Sequence, residues 1–417
     1  MAAAARVVSA PSDRAVPFLV QLAEALTRAG EPEGFVQPRV ARMAAAYRVP
    51  AARVVVLPKL TLAAAGAGEP VALDATAATE PDLRLDQMAA VARIARLADT
   101  ASVDPDDGMR ALGDAEALPH RFGPVGIVAG HATIALGACL ILQPTLQVLL
   151  TSALLGAFVG LLMLRSRTAP TLHVLLPIVA AVLVSFVAFA VEPGAKTQEP
   201  LRELIPPLIT FLPGGLITSA TLDLVVGHVI SGATRFVAGS MQLVLLALGI
   251  GIGATLAGAD LNATTTNTPM NTLGPWAPWL GALVFGVGSY IHYSGPRGSL
   301  RWLLVVLLAA WTGERMGATL LSPQLGAFVG ALVMTPVAAW VERRRSAPPA
   351  LATITPAFRL LVPGAVSFIG VAQFFGSRQD AGIGHMVNAL LAFILIGLGV
   401  YVGETLVLRF RSRRQRS

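Results

Sequence analysis

Apolar positions divide the chain into two regimes. Through the first 120 or so residues they recur periodically between charges; after about Phe122 they run together for some twenty residues at a time. In the first regime Phe18, Leu19, Leu22 and Leu26 repeat at helical spacing and predict a helix over 16–29, stopped at Gly30. A second helix is expected over 33–47. The β-branched run at 53–57, with 60–62 and 70–73 around the Gly66 and Gly68 turn, predicts a small antiparallel sheet. Helices over 85–99 and 105–117 complete a small α+β domain, with Arg93, Arg96 and Asp99 on a solvated face.

The second regime supplies runs long enough to cross a hydrocarbon core of about 30 Å. Ten are expected, over 123–143, 146–164, 171–191, 204–226, 232–258, 274–293, 300–316, 318–341, 356–377 and 385–409. The fourth is interrupted by prolines, and the seventh is short and ends at Glu314 and Arg315. Loop charge checks the count. With the N-terminus inside, the inside loops carry Arg165 and Arg167, then Arg297 and Arg301, then Arg343, Arg344 and Arg345. The C-terminal tail adds Arg409, Arg411, Arg413, Arg414 and Arg416. The Thr- and Asn-rich stretch 260–273 has no Lys or Arg and falls outside, as does the mixed loop at 192–203. Removing one span would put the last two arginine clusters on the wrong side.

Composition agrees. Of 417 residues 54% are hydrophobic and 13% charged, about half the charge of a soluble chain. The net charge of +7 does not argue for nucleic acid, because the arginines sit in short loops between apolar runs. The single cysteine, Cys139, excludes an intrachain disulfide and paired-cysteine metal sites. No secretory signal is visible, so the first domain is expected in the cytoplasm. No nucleotide loop, zinc spacing or nucleophile elbow occurs. No cofactor and no metal is therefore expected, and an enzymatic role lacks residue-level support.

Shifting the sequence by 150 residues aligns Pro206 with Pro356, Pro213 with Pro363 and Gly214 with Gly364. It also aligns Gly232 with Gly382, Gly249 with Gly399, Gly253 with Gly403 and Thr255 with Thr405. The identities are roughly twice those expected by chance. Spans four and five then correspond to nine and ten. Five spans per half is an odd number, so the halves have opposite orientation, a recurrent plan in secondary transporters. The expected fold is a mainly α membrane protein of ten helices in two inverted five-helix repeats, behind a small α+β cytoplasmic domain. The expected boundaries are 1–120, 121–272 and 273–417.

Pro213 and Pro363 remove backbone donors within a span. Groups so freed are tolerated in a bilayer where they face protein or a wet cavity. A binding role and a simple packing kink both fit, and occurrence in both halves favours binding. Thr210, Gly214, Thr218 and Thr221 form a stripe on one face, suited either to a polar path or to close helix packing. Asp223 lies near the inner end of span four, before His228 and Arg235. Asp223 and Arg235 can pair, or Asp223 can carry a proton. Glu404 reads as interfacial, and His131 as a hydrogen-bonded packing residue more often than a relay.

The segment from Phe211 to Arg235 resembles the most characteristic stretch of the threonine/serine exporter family, through Pro213, Gly214, Asp223, Gly227, His228, Gly232 and Arg235. Residues 28–33 are similar to that family's entry to its cytoplasmic domain, departing at Pro32 and Glu33. Arg301 and Trp302, with Leu361 to Gly364, resemble its smaller partner module, fused here. The resemblance implies export of threonine and serine across the bacterial cytoplasmic membrane by proton-coupled antiport. Substrate-site candidates are Thr210, Pro213, Gly214, Gly215, Thr218, Thr221, Pro363, Gly364 and Ser367, with the positive end of a half-helix facing the substrate carboxylate. Candidates for proton coupling or charge pairing are Asp223, His228, Arg235 and Glu404. Gln373 stands where the second half would repeat Asp223. The expected partners are the substrate, protons and the bilayer, with no nucleic acid and a homo-oligomer left open. The alternatives are a dicarboxylate exporter using Arg235 or Arg359, and a membrane-anchored sensor or enzyme.

Overall fold

The computed structural model describes residues 11–49, 53–57, 60–64, 74–77, 83–142, 146–191, 200–259, 273–344, 347–361, 370 and 379–416. The chain divides into two compact units. One is Met1–Pro119 with Asp223–Thr234, and the other is His120–Leu222 with Arg235–Ser417.

In the first unit, α1 (Pro11–Arg28) and α2 (Glu33–Ala46) precede strands β1 (Arg53–Leu57), β2 (Leu60–Ala64) and β3 (Asp74–Ala77), followed by α3 (Leu85–Ala98) and α4 (Pro105–Glu116). The sheet is antiparallel in the order β1-β2-β3, with Val55 opposite Leu62 and Thr61 opposite Thr76. The expected third strand at 70–73, with Gly66 and Gly68, lies outside the described residues; β3 follows it. Gly30, at φ +92°, closes α1, with the Glu31 N–H on the Leu26 carbonyl at 3.1 Å. The apolar face predicted for α1 is buried: Phe18, Leu19, Leu22 and Leu26 are covered, as are Val36, Val40 and Met43 of α2 and Leu85, Val91 and Ile94 of α3, and α1 packs against both helices. Phe18 meets the Tyr47 ring edge-on at 5.9 Å, and the Tyr47 hydroxyl donates to the Val103 carbonyl at 2.7 Å. Arg93 and Arg96 are exposed, whereas Asp99 receives Arg39, which also holds Glu31.

The second unit is helical. It contains α5 (Gly123–Ile141), α6 (Leu146–Ser166), α7 (Pro170–Val191), α8 (Pro200–Leu208), α9 (Gly214–Val226), α10 (Val229–Leu256), α11 (Ala277–His292), α12 (Leu300–Leu320), α13 (Pro323–Glu342), α14 (Ala350–Leu361) and α15 (Gln379–Arg416), apart from the α9–α10 turn assigned to the first unit. Among the described residues six helices are long and apolar enough to cross a membrane, and seven if the bent pair Leu204–Phe211 and Gly214–Val226 is one span. The other expected spans fall on α7, α11 and α14, whose described apolar stretches are shorter. The exposed surface is apolar along helix faces, as at Leu146, Leu150 and Leu154, the reverse of a soluble bundle.

Two expectations need correcting. The seventh span does not end at Glu314 and Arg315, because α12 continues to Leu320. The Arg315 guanidinium turns to Glu314 at 3.0 Å and lies over the Trp311 ring, so the charges are accommodated without ending the helix. The next helix starts at Pro323 rather than 318, where Ser322 accepts the Leu325 N–H at 3.3 Å as an N-cap.

Glycines set the close packing. A Cβ on Gly249 of α10 would lie 3.0 Å from the Ile178 carbonyl oxygen and 2.8 Å from the Ala181 Cβ of α7. A Cβ on Gly399 of α15 would lie 2.5 Å from the Phe328 carbonyl oxygen and 2.9 Å from the Ala331 Cβ of α13. Every residue in the second contact is 150 positions after its counterpart in the first. Gly253 against Ser185 and Gly403 against Thr335 repeat the correspondence. Helices α5 and α11 run antiparallel, with Gly130 on the backbone of His292 and Gly288 on that of Ile134.

Candidate functional site

The interruption predicted at Pro213 is a bend of 50° between α8 and α9. Between them Ile209–Phe211 form a 3-10 turn, and Leu212 is extended, as a residue before proline must be. Pro206, Pro207 and Pro213 bring no N–H, so the helical ladder lapses. It restarts with the Ile217 N–H on the Pro213 carbonyl at 2.9 Å.

The carbonyls released at the bend are taken by side chains from other helices. The His131 ring of α5 donates Nε2–H to the Pro207 carbonyl at 3.0 Å. The Gln242 amide of α10 donates to the Phe211 carbonyl at 2.6 Å. His131 is fully buried, and its Nδ1 has no hydrogen-bond partner among the described residues. The Thr210 hydroxyl, within the 3-10 turn, is also buried without one. Leu204, Ile205, Phe211 and Ile217 carry the bend into the core shared with α6, α7, α10 and α15.

The threonine stripe is differently employed. Thr218 donates to the Gly214 carbonyl at 2.9 Å and Thr221 to the Ile217 carbonyl at 3.0 Å, so both buried hydroxyls spend their protons inside α9. Pro213 and Gly214 are buried, and a Cβ on Gly215 would meet nothing within 4 Å.

Asp223 to His228 form the turn that ends α9. Gly227 takes φ +95°, the His228 N–H reaches the Asp223 carbonyl at 2.8 Å, and the Gly227 N–H reaches Leu224 at 3.2 Å. This pair of bonds closes the helix in the way that demands a glycine at that position. The His228 carbonyl then accepts from Gly232 at 2.9 Å and starts α10. The Asp223 side chain is 1% exposed.

Residues from the start of α2 belong to the same unit and hold this turn. The Ser231 hydroxyl donates to the carboxylate of Glu33, which has no exposed surface. Gly34 lies under the His228 ring, where a Cβ would fall 3.1 Å from Cδ2. Neither Glu33 nor Gln242 was singled out as a site residue from the sequence. An acid in the first turn of a helix and an amide inside an apolar run were the available signals. Arg235 and Glu404 are half-buried on α10 and α15. Pro363, Gly364, Ser367 and Gln373 lie outside the described residues.

A second polar group collects at the end of α11. The His292 ring lies 5.2 Å from the His131 ring and 4.6 Å from that of Tyr293. The His292 Nδ1–H donates to the Ile127 carbonyl at 2.9 Å. The Arg359 guanidinium, in the last turn of α14, stacks 4.2 Å from the Tyr293 ring centre, and its Nη1 is buried without a hydrogen-bond partner among the described residues. No group of three or more potential metal ligands occurs among the described residues.

A family model described as "Putative threonine/serine exporter" matches residues 17–257. A curated relative, a "Probable threonine/serine exporter" of Mycobacterium tuberculosis (strain ATCC 25618 / H37Rv), is 25% identical over 338 residues. That alignment covers 77% of this chain and 62% of the relative, so the chain spans less than two thirds of the relative's length. No solved structure matches.

Proposed function

Because the chain belongs to the threonine/serine exporter family, we propose that it exports threonine and serine across the cytoplasmic membrane, driven by the proton gradient. The observation that carries this reading is the bend at Pro213, whose carbonyls are held by His131 and Gln242. A spanning helix opened at its middle and supported by protein side chains is where such transporters bind small polar molecules. Thr210 brings a buried hydroxyl to that point.

The architecture in this reading is ten spans in two inverted halves, 121–272 and 273–417, with both termini and the first domain in the cytoplasm. Support comes from the glycine contacts repeated at a 150-residue interval and from the antiparallel course of α5 and α11, the first helix of each half. The arginine loops supply the orientation. The second break, at Pro363 and Gly364, is the counterpart of the first. Asp223, buried near the end of α9, is the candidate proton carrier, and His228, Arg235 and Glu404 are the further candidates for proton coupling or charge pairing.

A small dicarboxylate is the second reading, favoured by the buried Arg359 donor, which has no hydrogen-bond partner among the described residues and suits any carboxylate. The test is efflux of labelled threonine from loaded proteoliposomes, with and without an inward-directed proton gradient, and with competing succinate. Gradient-dependent threonine efflux that succinate does not inhibit is expected. Threonine loss indifferent to the gradient removes the proton drive; succinate-only efflux replaces the substrate.

A further inference from the structure

Four contacts in the membrane unit form a continuous series. The Pro207 carbonyl at the bend holds the His131 ring at 3.0 Å; His131 lies against His292, His292 against Tyr293, and Tyr293 under the Arg359 guanidinium. Arg359 stands four residues, one helical turn, before Pro363. The series therefore runs from the proline bend between α8 and α9 to the last turn of α14.

Arg359 is unlike its neighbours. The Arg121 guanidinium donates to the Tyr290 hydroxyl and to the Gly295 carbonyl, and Arg315 is paired with Glu314. Among the described residues the Arg359 Nη1 is buried with no hydrogen-bond partner, on a guanidinium whose planar fork matches two oxygens at once. An ionised group inside a membrane helix is costly to keep and marks a ligand path more often than a packing role. Stacking on Tyr293 fixes the guanidinium plane and leaves its N–H edge for a planar, two-oxygen acceptor. On the same face of α11, one turn before Tyr293, the Ser289 hydroxyl is 1% exposed and also has no partner among the described residues.

We propose that Arg359, held by Tyr293, receives the carboxylate of the exported molecule. This rests on the exporter reading above. It assigns the carboxylate to a full charge on α14 rather than to the partial charge at the start of α9. The sequence gives no equivalent in the first half, where Ile209 occupies the corresponding position.

The experiment uses the full chain in proteoliposomes, with threonine and its neutral carboxamide as substrates. Wild type is expected to prefer threonine. Arg359→Gln is expected to raise KM for threonine roughly ten- to a hundredfold, to leave the maximal rate within a few-fold, and to abolish the preference over the amide. Arg359→Lys should recover part of it, and Tyr293→Phe, which keeps the ring, nearly all. Ligand-induced melting shifts with threonine, serine and succinate provide a readout independent of transport. A shift present in wild type and absent from Arg359→Gln supports the site. An equal shift in both proteins, or none with any of the three, overturns it, as does an unchanged KM and preference. If Arg359→Gln does not fold, Arg359→Lys and Tyr293→Ala decide: wild-type discrimination in both overturns the proposal. Wild type that moves neither threonine nor serine, yet keeps an Arg359-dependent carboxylate shift, sinks the exporter reading and leaves the site standing.

Discussion

Ser231 and Glu33 are 198 positions apart and share a buried hydrogen bond, the serine hydroxyl donating to the glutamate carboxylate. Ser231 belongs to the first turn of α10, and Glu33 opens α2. The characteristic Asp-to-Arg segment is thus held in part by a residue from the beginning of the chain. Glu33→Ala is expected to destabilise the turn by about 1–3 kcal/mol. Glu33→Gln, which keeps an oxygen for Ser231, should cost less. Hydrogen exchange of residues 223–234 measures both. Equal protection in Glu33→Ala and wild type would show that the bond carries no stability.

His131 and Gln242 each serve a carbonyl released at the bend. His131→Phe and Gln242→Leu should each cost about 1–3 kcal/mol, since a carbonyl is left buried without a donor. Transport should fall in both. The double variant should lose less than the sum if the bend relaxes once either support is gone. A melting temperature within error of wild type for Gln242→Leu would remove its supporting role.

Gly249→Val and Gly399→Val should destabilise to a similar degree, because each new side chain meets a carbonyl oxygen and an alanine methyl at matching positions. Overpacking of this kind costs about 1–3 kcal/mol or more. Thermal melting in detergent checks it. Tolerance of one and collapse of the other would count against the proposed repeat.

Tyr47 gives the first unit an alkaline limit. Burial, and next the negative charge of Asp104, raise its phenol above the ordinary value of 10.0. The unfolded chain therefore loses that proton first as pH rises. The contribution is complete below pH 10 and declines as pH climbs through the folded value. Tyr47→Phe should cost about 1 kcal/mol at pH 8 through the lost bond to Val103, and should flatten the decline. Identical melting curves for both proteins from pH 9 to 11 would contradict this.

Asp223→Asn keeps the backbone carbonyl that accepts the His228 N–H and closes α9. Gradient-driven efflux should fall at least tenfold while threonine-induced melting shifts persist. Unchanged coupled transport would take the proton role from Asp223.

Much of this was legible in the sequence because it rests on local chemistry. Proline without an N–H told where α8 and α9 part, and helical spacing at Phe18 to Leu26 told which face of α1 is buried. The 150-residue shift pairs Gly249 with Gly399, and their contacts match residue for residue. His131 is hydrogen-bonded, the more frequent of its two readings. What escaped was set by partners distant in the chain. Nothing around Glu33 announces Ser231, and nothing around Gln242 announces the Phe211 carbonyl. The threonine stripe fits a polar path and close packing equally by sequence, because side-chain type does not reveal that the Thr218 and Thr221 hydroxyls bond back along their own helix. Glu314 and Arg315 looked like a terminus because their mutual pairing is invisible to hydropathy.

Where α5 crosses α11, main chain lies on main chain at Gly130 and Gly288. Interlocked side chains would fix a register and resist turning, since each change of angle would force rotamers over barriers. At the two glycines the contact is smooth, but beside them the His292 ring reaches across to the Ile127 carbonyl and rests on the His131 ring. The crossing of α5 and α11 is therefore keyed: one hydrogen bond and one ring contact fix a register that close-packed glycines alone leave free.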